Sequence, residues 1–345
     1  MDGFIKITTG GSPRRIGRDI GRATAGIVRE LAAANAAFYR RQTGRTLGEL
    51  VAFARRNLLP LVARAYPGHL EEVRGLAEGA GLGFDEVFLF SAEEELLDLW
   101  GGWDKCSSAA VRCRGGLKLA HNEDYIGRYH GRLVVVDAAP SRGPRFLSLA
   151  YPGTLAGSAC GLNAAGLAFS GNSLHFGPRR RGLPKNFVLR DVLAARNVAD
   201  AVRRFGAGPR LVGGSLNVVS SREDAATCVE SSLADTAVVR LSSAVWQAHT
   251  NHALAPGLDK RGEKPTAFSR RRLAGIEGLL AAARRPIGAA ELKSILSSRA
   301  AGLFYVDRRP DAPSTLASIV MDPGSGSMLV APAAGRRVWR RYSLK

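Results

Sequence analysis

The spacing of apolar positions changes about a third of the way along the chain. In the first hundred residues apolar side chains recur at helical spacing, as at Ile16, Ile20 and Ile27. Ser12 followed by Pro13 predicts a helix start, because serine can cap a free amide and proline lacks one. The stretches "HLEEVRGLAEGAGL" and "FDEVFLFSAEEELLDLW" continue this pattern. We therefore expect a mainly helical first region.

From Cys106 onward the period is two, which is typical of strands. Ala109, Val111 and Cys113 share one face, "RGG" predicts a turn, and "LKLAHNEDY" predicts a returning strand, so a β-hairpin is expected. Helical patterns interrupt the later strands at 186–205, 268–283 and 288–299. Antiparallel strands with helices in blocks predict a layered α+β fold rather than a doubly wound sheet. The further strand-like runs are "RLVVVDAA", "RFLSLAYPG", "GSACGL", "GLAFSGNSL", "GGSLNVVSS", "TCVESS" and "TAVVRLSSAVWQAHTN".

Composition is that of a globular protein. The chain has 345 residues, of which 46% are hydrophobic and 23% charged, enough for one large domain or two fused layers. No apolar leader or bilayer-length run is present, so we expect no membrane association. Four cysteines without a CxxC pair or metal-spaced histidines favour a reducing, cytoplasmic location with no structural metal.

Positive charge is concentrated after residue 105. The formal net charge is +19, and residues 1–105 hold 14 basic and 14 acidic side chains, which leaves 35 and 16 for residues 106–345. Such an excess can attract nucleic acid, anionic membranes or phosphorylated substrates. The arginine runs at 179–181, 270–272 and 336–341 are scattered and lack a nucleic-acid-binding motif. We interpret them as mostly solvated surface, with a functional anion site as the alternative and nucleic acid as an unexpected partner.

Cys106 is the candidate nucleophile because of the residues that accompany it. A lone cysteine is usually inert, but Asp124 lies on the partner strand of the hairpin, and Asn172 and Asn251 lie near the ends of later strands. An asparagine amide can donate to an oxyanion. A cysteine that attacks the carbonyl of Lys105 would become a new N-terminus, whose α-amine (pKa about 8) can serve as the base for its own thiol.

Six motifs, in this order, resemble the acyl-coenzyme A:6-aminopenicillanic acid acyltransferase family, the C45 family of autoproteolytic N-terminal-nucleophile hydrolases. "GGSPRRIGRDIG" resembles the family opening, and "EEVRGLAEGAGL" resembles its helical segment. "DKCSS" resembles its Gly-Cys-Thr nucleophile site, and "NEDY" its Asn-x-Asp-Trp motif. "GLNAAGLAFSGNSL" and "HTNH" resemble its later glycine and asparagine motifs. The resemblance spans nearly the whole chain.

The resemblance implies a four-layer αββα N-terminal-nucleophile fold and cleavage between Lys105 and Cys106. A helical segment, residues 1–105, would remain bound to a catalytic region, residues 106–345. Cys106 would be the nucleophile and Asp124 the orienting carboxylate. Ser108 would either assist cleavage or be an ordinary surface serine. Asn172 and Asn251 would be oxyanion or substrate donors, and we expect Asn122 to have a structural hydrogen-bonding role.

Two positions depart from the family pattern. Lys105 stands where the family usually has glycine, which could slow cleavage, and Tyr125 replaces the usual tryptophan, which we expect to alter packing or acyl selectivity. His121, His249 and His252 flank the candidate residues. We interpret these histidines as structural, since no third ligand accompanies the i,i+3 pair of His249 and His252.

The expected function is transfer of an acyl group through a thioester on Cys106, to water or to an amine. The substrate would be a small acyl amide or acyl thioester, with no cofactor required and acyl-CoA possible as a substrate. The basic second region favours an anionic donor. A non-catalytic basic binding protein that keeps the fold without maturation is the alternative, and a peptidase of broader range is a third possibility.

Overall fold

Two β-sheets form the centre of the protein, as the period-two segments predicted. The computed structural model describes residues 4–100, 106–176, 181–239, 245–258, 263, 266–307 and 309–344. The first sheet has the order β1-β4-β5-β6-β7-β8-β9-β10, and the second has the order β11-β2-β3-β12-β13-β14. The strands are β1 Ile5–Gly11, β2 Ser107–Cys113, β3 Gly116–Ile126, β4 Val134–Pro140, β5 Phe146–Ala150, β6 Cys160–Asn163, β7 Leu167–Leu174, β8 Gly213–Ser220, β9 Ala225–Ser231, β10 Thr236–Val239, β11 Trp246–His249, β12 Pro313–Asp322, β13 Ser327–Pro332 and β14 Arg340–Ser343.

Helices cover the outer face of each sheet. The α-helices are α1 Pro13–Thr43, α2 Leu47–Asn57, α3 Leu59–Ala65, α4 Pro67–Ala80, α5 Phe84–Phe90, α6 Glu93–Trp100, α7 Lys185–Val192, α8 Val198–Phe205, α9 Ala267–Ala282 and α10 Ala289–Leu296. Helices α1 and α8 contact the first sheet, α9 and α10 contact the second, and β2 and β3 pack on β7 and β8. The expected four-layer αββα arrangement is therefore confirmed. No helix in the described ranges is long and apolar enough to cross a membrane.

Helices α1 and α4 pack closely through glycines. A Cβ on Gly17 would lie 1.9 Å from the Glu72 carbonyl oxygen, and a Cβ on Gly75 would lie 2.1 Å from the carbonyl oxygen of Arg14. Both are far below any allowed contact, so the two backbones touch only because these positions lack a side chain. The glycines belong to the "GRDIG" and "RGLAEG" motifs of the sequence. The motifs thus mark helix packing in the first region.

Several elements differ from the sequence-based expectations. Residues 84–100 form two helices interrupted near Ser91, and the predicted helix over 186–205 is divided between α7 and α8. The long strand-like run after residue 236 supplies two strands, β10 and β11, which belong to different sheets. Strands β1, β12, β13 and β14 and helices α2 and α3 were not predicted. Strand β1 pairs in parallel with β4, a long-range contact that local periodicity does not reveal.

The predicted hairpin positions the candidate cysteine. Strands β2 and β3 are antiparallel, with Ser107 opposite Asn122 and Ser108 opposite His121. This register brings the residue before β2 beside positions 123 and 124 of β3. Strand β12 is the other neighbour of β3, and its register shifts between Thr315 and Ala317. Cys106 and the "NEDY" motif therefore meet at one end of the second sheet.

Candidate active site

Cys106 lies directly before β2 and is almost completely buried, with 2% of its surface exposed. Its Sγ is 3.8 Å from Glu123 Oε2 and 3.9 Å from the Asp124 carbonyl oxygen. Its φ is 41°, a left-handed value that is rare for a residue with a side chain. Burial raises the pKa of the thiol well above its usual value, and the nearby Glu123 carboxylate raises it further. In this uncut chain the sulfur is held as a neutral thiol.

A narrow cleft with a cavity volume of about 20 Å³ lies beside Cys106. Helices α5 and α6 supply one part of its wall, and strand β3 and helix α7 supply others. The lining combines aromatic rings with charged side chains. The residues that line it are Phe90, Glu93, Glu94, Cys106, Glu123, Tyr125, Tyr129, Tyr151, Thr154, Lys185 and Asn186.

Asp124 is buried beside the cysteine. Burial raises the pKa of its carboxyl group to about 7, although the Arg272 guanidinium and the nearby Thr315 side chain oppose this shift. Neither carboxyl oxygen has a hydrogen bond of normal geometry with the described residues. A buried carboxyl group with so few partners is costly, and groups with shifted pKa values are concentrated at functional sites.

Arg272 connects Cys106 with one of the two asparagines. Its Nη1 donates to the Cys106 carbonyl oxygen at 2.7 Å and to Ser107 Oγ at 2.9 Å. Its Nη2 donates to Asn251 Oδ1 at 2.6 Å. The side chain is fully buried and lies over the Phe268 ring, 4.7 Å from the ring centre. One guanidinium thus fixes both the main chain at the cysteine and the asparagine.

Arg272 was not predicted as a site residue. The sequence analysis interpreted "RRR" at 270–272 as solvated surface, and this is wrong for its last member, although Arg270 and Arg271 are exposed. A signal was present, because Arg272 precedes the buried Ile276 and Leu280 of α9 by one and two helical turns. An arginine on the apolar face of a helix indicates a buried partner.

The two asparagines occupy different environments. Asn172 Oδ1 accepts from Ser108 Oγ at 2.8 Å and from Asn217 Nδ2 at 2.9 Å, while its own amide nitrogen is buried without a partner among the described residues. Asn251 donates from Nδ2 to the carbonyl oxygen of Ser173 at 3.0 Å. Both are completely buried. Neither asparagine is among the described residues that line the cleft.

A hydrogen-bonded chain runs from the cysteine into the space between the sheets. Glu123 Oε2 is 2.8 Å from His121 Nε2, and His121 Nδ1 is 2.9 Å from Ser108 Oγ. Ser108 is buried, so the surface-serine alternative is wrong. Cys106, His121 and Glu123 bring a sulfur, a nitrogen and an oxygen within 4.8 Å of one another. His121 Nε2 and Glu123 Oε2 lie at hydrogen-bonding distance from each other, so each of these two atoms already has a partner in the protein.

Two other members of the "NEDY" stretch lie in distinct surroundings. Asn122 donates to the carbonyl oxygens of Leu296 and Leu303 and accepts from Ser318 Oγ, contacts of the structural kind that we expected. Tyr125 lines the cleft and donates to Glu93 Oε1 at 3.3 Å. Lys105, the residue before the proposed cut, lies outside the described residues.

The late histidines hold the segment that carries Asn251. His249 Nε2 is 2.8 Å from Glu230 Oε1, and Glu230 also accepts from the amides of Leu254 and Ala255. His252 Nδ1 lies 2.8 Å from Ser269 Oγ on α9. The same hydroxyl accepts a hydrogen bond from the main-chain N–H of Asn251. These contacts agree with a structural interpretation.

A comparison with protein families identifies the chain. Residues 112–335 match the family described as acyl-coenzyme A:6-aminopenicillanic acid acyl-transferase. The chain belongs to this family. Asp124, Asn172, Asn251 and Arg272 lie inside the matched range, whereas Cys106 lies six residues before it.

Two curated relatives match part of the chain. The acyl-coenzyme A:6-aminopenicillanic-acid-acyltransferase 40 kDa form of Emericella nidulans is 24% identical over 204 residues, 59% of this chain and 56% of the relative. The beta-alanyl-dopamine/carcinine hydrolase of Drosophila melanogaster is 29% identical over 160 residues, 41% of each chain. The chain spans about half the length of these relatives.

Two solved structures are also similar in part. A mutant form of the conjugated bile acid hydrolase from Clostridium perfringens has a TM-score of 0.46 at 12% identity, and the match covers 69% of this chain and 92% of that one. Penicillin V acylase from Agrobacterium tumefaciens has a TM-score of 0.41 at 14% identity, and the match covers 68% and 85%.

Proposed function

We propose that this family member is an N-terminal-nucleophile amidohydrolase or acyltransferase that acts through a thioester on Cys106. The active form would arise when the chain cuts itself between Lys105 and Cys106. The observation that carries the proposal is the position of Cys106, buried beside a cleft and next to Asp124, whose buried carboxyl group has no hydrogen bond of normal geometry with the described residues.

Self-cleavage would begin with attack of the Cys106 sulfur on the Lys105 carbonyl carbon. The C–N bond breaks as the acyl group moves to sulfur, and the former amide nitrogen becomes the α-amino group of Cys106. Water then hydrolyses the thioester, which leaves a carboxylate on Lys105 and a free thiol on Cys106. The left-handed φ of Cys106 supports this step, because a strained residue at the junction favours bond cleavage.

The same sulfur would then attack an external amide or thioester. The new α-amino group takes the thiol proton, and the carboxylate of Asp124 is suited to hold that group once it becomes an ammonium. The unpartnered amide of Asn172 and the amide of Asn251 are candidates to stabilise the tetrahedral oxyanion. Arg272 would keep the nucleophile and Asn251 in register. The proton taken from sulfur passes to the leaving amine of an amide substrate, or to the leaving thiolate of a thioester substrate.

The acyl group would finally pass to water or to an amine. Water gives a carboxylic acid, and an amine gives a new amide. The printed names of the relatives include both a hydrolase and an acyltransferase, which supports this pair of outcomes. A small acyl amide or acyl thioester is the substrate class that we propose.

Intact mass under denaturing conditions tests the proposal. We expect wild-type protein to give two pieces, of 105 and 240 residues, and Cys106→Ala to give one chain of 345. Cys228→Ala is the matched control, because Cys228 is also a buried free cysteine but lies in β9. A transient acyl adduct on the longer piece would support the thioester. An uncut wild-type chain that forms no adduct would contradict the proposal and favour the binding-protein alternative.

A further inference from the structure

A second cavity, with a volume of about 570 Å³, lies beyond the end of β3. Its wall includes residues of the short 3₁₀ helix Gly127–Tyr129, of the loop before β12 and of the segment after β13. Among the described residues it shares no lining residue with the cleft beside Cys106. Arg299 and Pro310 in its wall are exposed, so solvent reaches it. Small-molecule sites commonly have volumes of about 300 to 1,000 Å³, and this cavity is large enough to be one.

The charged side chains of this cavity are mainly basic. Arg128, Arg132 and Arg299 line it, and Asp307 is the one carboxylate among its described lining residues. The charge of Asp307 is already matched, because Arg309 donates to its Oδ1 at 3.1 Å and to its Oδ2 at 2.7 Å. The described wall therefore carries an excess of positive charge.

Two of the three lining arginines have no carboxylate partner among the described residues. The exception is Arg132, whose Nη2 lies 2.6 Å from Oε1 of the exposed Glu30. Arg128 Nη2 donates to neutral acceptors of α1, and its Nη1 is buried without a partner in the described ranges. Arg299 lies over the Phe304 ring, 5.4 Å from the ring centre. Guanidinium groups that lack a counter-charge in the protein are suited to an anion from solution.

A further arginine without a described carboxylate partner lies beside Arg299. Arg337 contacts the same Phe304 ring, 4.2 Å from its centre, and donates to the hydroxyls of Ser297 and Ser318. Burial lowers the pKa of Arg337, and the positive charge of Arg299 lowers it further. Two like charges this close repel each other, and an anion bound at Arg299 would offset the repulsion.

His130 adds a neutral donor to the wall. Ser314 Oγ accepts from the main-chain N–H of Asp307 at 2.9 Å and lies 2.8 Å from His130 Nε2. This arrangement favours the tautomer with its proton on Nδ1, which is buried without a hydrogen bond of normal geometry to a described residue. Burial lowers the pKa of His130, although the main chain of Asp307 opposes this shift.

We propose that this cavity is a binding site for a small organic phosphate. Arginine is suited to phosphate because its planar fork of donors matches the phosphate oxygens and stays charged. Val306, Pro310 and Ala333 give the wall an apolar part against which the body of the molecule can pack. The site goes beyond the proposed function, since Cys106 does not line it. It also assigns a functional anion site to part of the basic excess of the second region.

Calorimetric titration with adenosine 5′-monophosphate, adenosine and inorganic phosphate tests the site. Adenosine lacks only the phosphate, and inorganic phosphate lacks the organic body. The protein is the Cys106→Ala variant, in which the proposed cut cannot occur, so the result does not depend on the thioester mechanism. In about 0.15 M NaCl, which screens exposed charges, we expect the monophosphate to bind about tenfold or more tightly than either fragment.

Three further substitutions in this background assign the binding to the cavity. Arg299→Met should weaken binding of the monophosphate by about tenfold or more, because a charge-assisted contact is lost. Asp307→Asn should strengthen it, because it removes the carboxylate of the described wall. Arg142→Met is the matched control, because Arg142 is exposed, follows β4 at the end opposite Arg132, and removes the same charge. We expect Arg142→Met to change the affinity by less than about twofold.

Several results would overturn the proposal. Adenosine that binds as tightly as its monophosphate would show that the arginines do not receive a phosphate. Inorganic phosphate that binds as tightly would remove the organic body from the assignment. Equal losses in Arg299→Met and Arg142→Met would show general attraction to a basic surface. If Arg299→Met has a lower melting temperature than its parent, the decision passes to Asp307→Asn, where unchanged or weaker binding refutes the site.

Discussion

Two buried glutamates before the proposed cut differ in their contacts from one buried aspartate after it. In residues 4–100, Glu72 is fully buried and pairs with Arg190, and Glu93 accepts from three tyrosines. In the second region, Asp124 is equally buried and neither of its oxygens has a partner of normal geometry among the described residues. Satisfied groups stabilise the fold, whereas an unsatisfied one points to a missing partner.

The partners of the first region come largely from the second. Arg190, Tyr129 and Lys185 all follow Cys106 in sequence, and they bind carboxylates of α4 and α6. The helical segment is thus attached through buried polar contacts as well as through the hydrophobic core. This supports the expectation that residues 1–105 remain bound after a cut, and it indicates where the attachment can be weakened.

The largest effect is expected from Arg272→Met, which removes a buried cation from the second region. The Cys106 carbonyl oxygen and Asn251 Oδ1 would each lose a charge-assisted hydrogen bond, and two such losses correspond to about a thousandfold in kcat/KM. Steady-state kinetics on cut protein measure this. Arg271→Met is the matched control, because Arg271 is the neighbouring exposed residue of α9.

A structural role for Arg272 would give a different pattern. If Arg272→Met matures normally and retains activity within a fewfold of Arg271→Met, the guanidinium is not positioning the site. If maturation fails, turnover can still be compared in the conservative variant Arg272→Lys, which we expect to recover part of the activity because it keeps the charge but loses the fork of two donors.

Arg190→Met removes the ion pair between Arg190 and Glu72, which joins the second region to the first. It would leave Glu72 buried and uncompensated, and breaking a buried pair costs about 3 to 5 kcal/mol. We expect a large fall in the free energy of unfolding, measured by denaturant titration of the uncut Cys106→Ala protein. Arg55→Met, which removes an exposed pair with Asp85, should cost less than about 1 kcal/mol. Equal costs would mean that the buried pair does not attach the first region.

Gly17→Ala tests the packing of α1 on α4. The added methyl group would meet the Glu72 carbonyl oxygen at 1.9 Å, so the helices must separate, at a cost of about 3 kcal/mol. Gly26 lies on the same helix with no atom within 4 Å of an added Cβ. We therefore expect Gly26→Ala to stabilise the protein by up to about 1 kcal/mol through helix propensity. Thermal unfolding of both variants measures the contrast, and similar melting temperatures would refute the close packing.

The sequence predicted those parts of the fold that local patterns encode. The cap at Ser12, the alternation of β2 and β3, and the "RGG" turn are local signals, and the structure follows them. Strand β1 and the C-terminal strands were missed because their burial depends on distant neighbours. The run that became β10 and β11 looked continuous, since periodicity does not reveal which sheet a strand joins.

The candidate site was predictable where a motif identified the residue. Motif order led to Cys106, Asp124, Asn172 and Asn251, whose roles stay predictions. Arg272 was missed because an arginine within a basic run resembles solvated surface, and only its helical phase indicates burial. The carboxylates that line the cleft, Glu93, Glu94 and Glu123, were missed for a similar reason. The net charge of a chain averages over its whole surface and does not report the charge of one cleft.

The smallest effect that we expect concerns Asp124 itself and appears only as a dependence on pH. In the uncut chain burial raises its pKa to about 7 from a usual value of 3.8, so the folded state binds its proton more tightly than the unfolded state does. The stability of the folded state is then greatest at low pH and falls as pH rises towards 7. Between pH 5 and pH 8 this single group would cost about 2 to 3 kcal/mol.

The variant Asp124→Asn removes the titrating carboxyl group. In a Cys106→Ala background, we expect Asp124→Asn to unfold at a melting temperature that falls less between pH 5 and pH 8 than that of its parent. Other buried acids, such as Glu95 and Glu263, titrate in both proteins and cancel in the difference. Parallel melting curves would mean that Asp124 already has a partner in the uncut chain, and the contrast between the two regions would disappear. A divergence would indicate that the Asp124 carboxyl group lacks a compensating partner, which the ammonium of a cut Cys106 would supply under the proposed function.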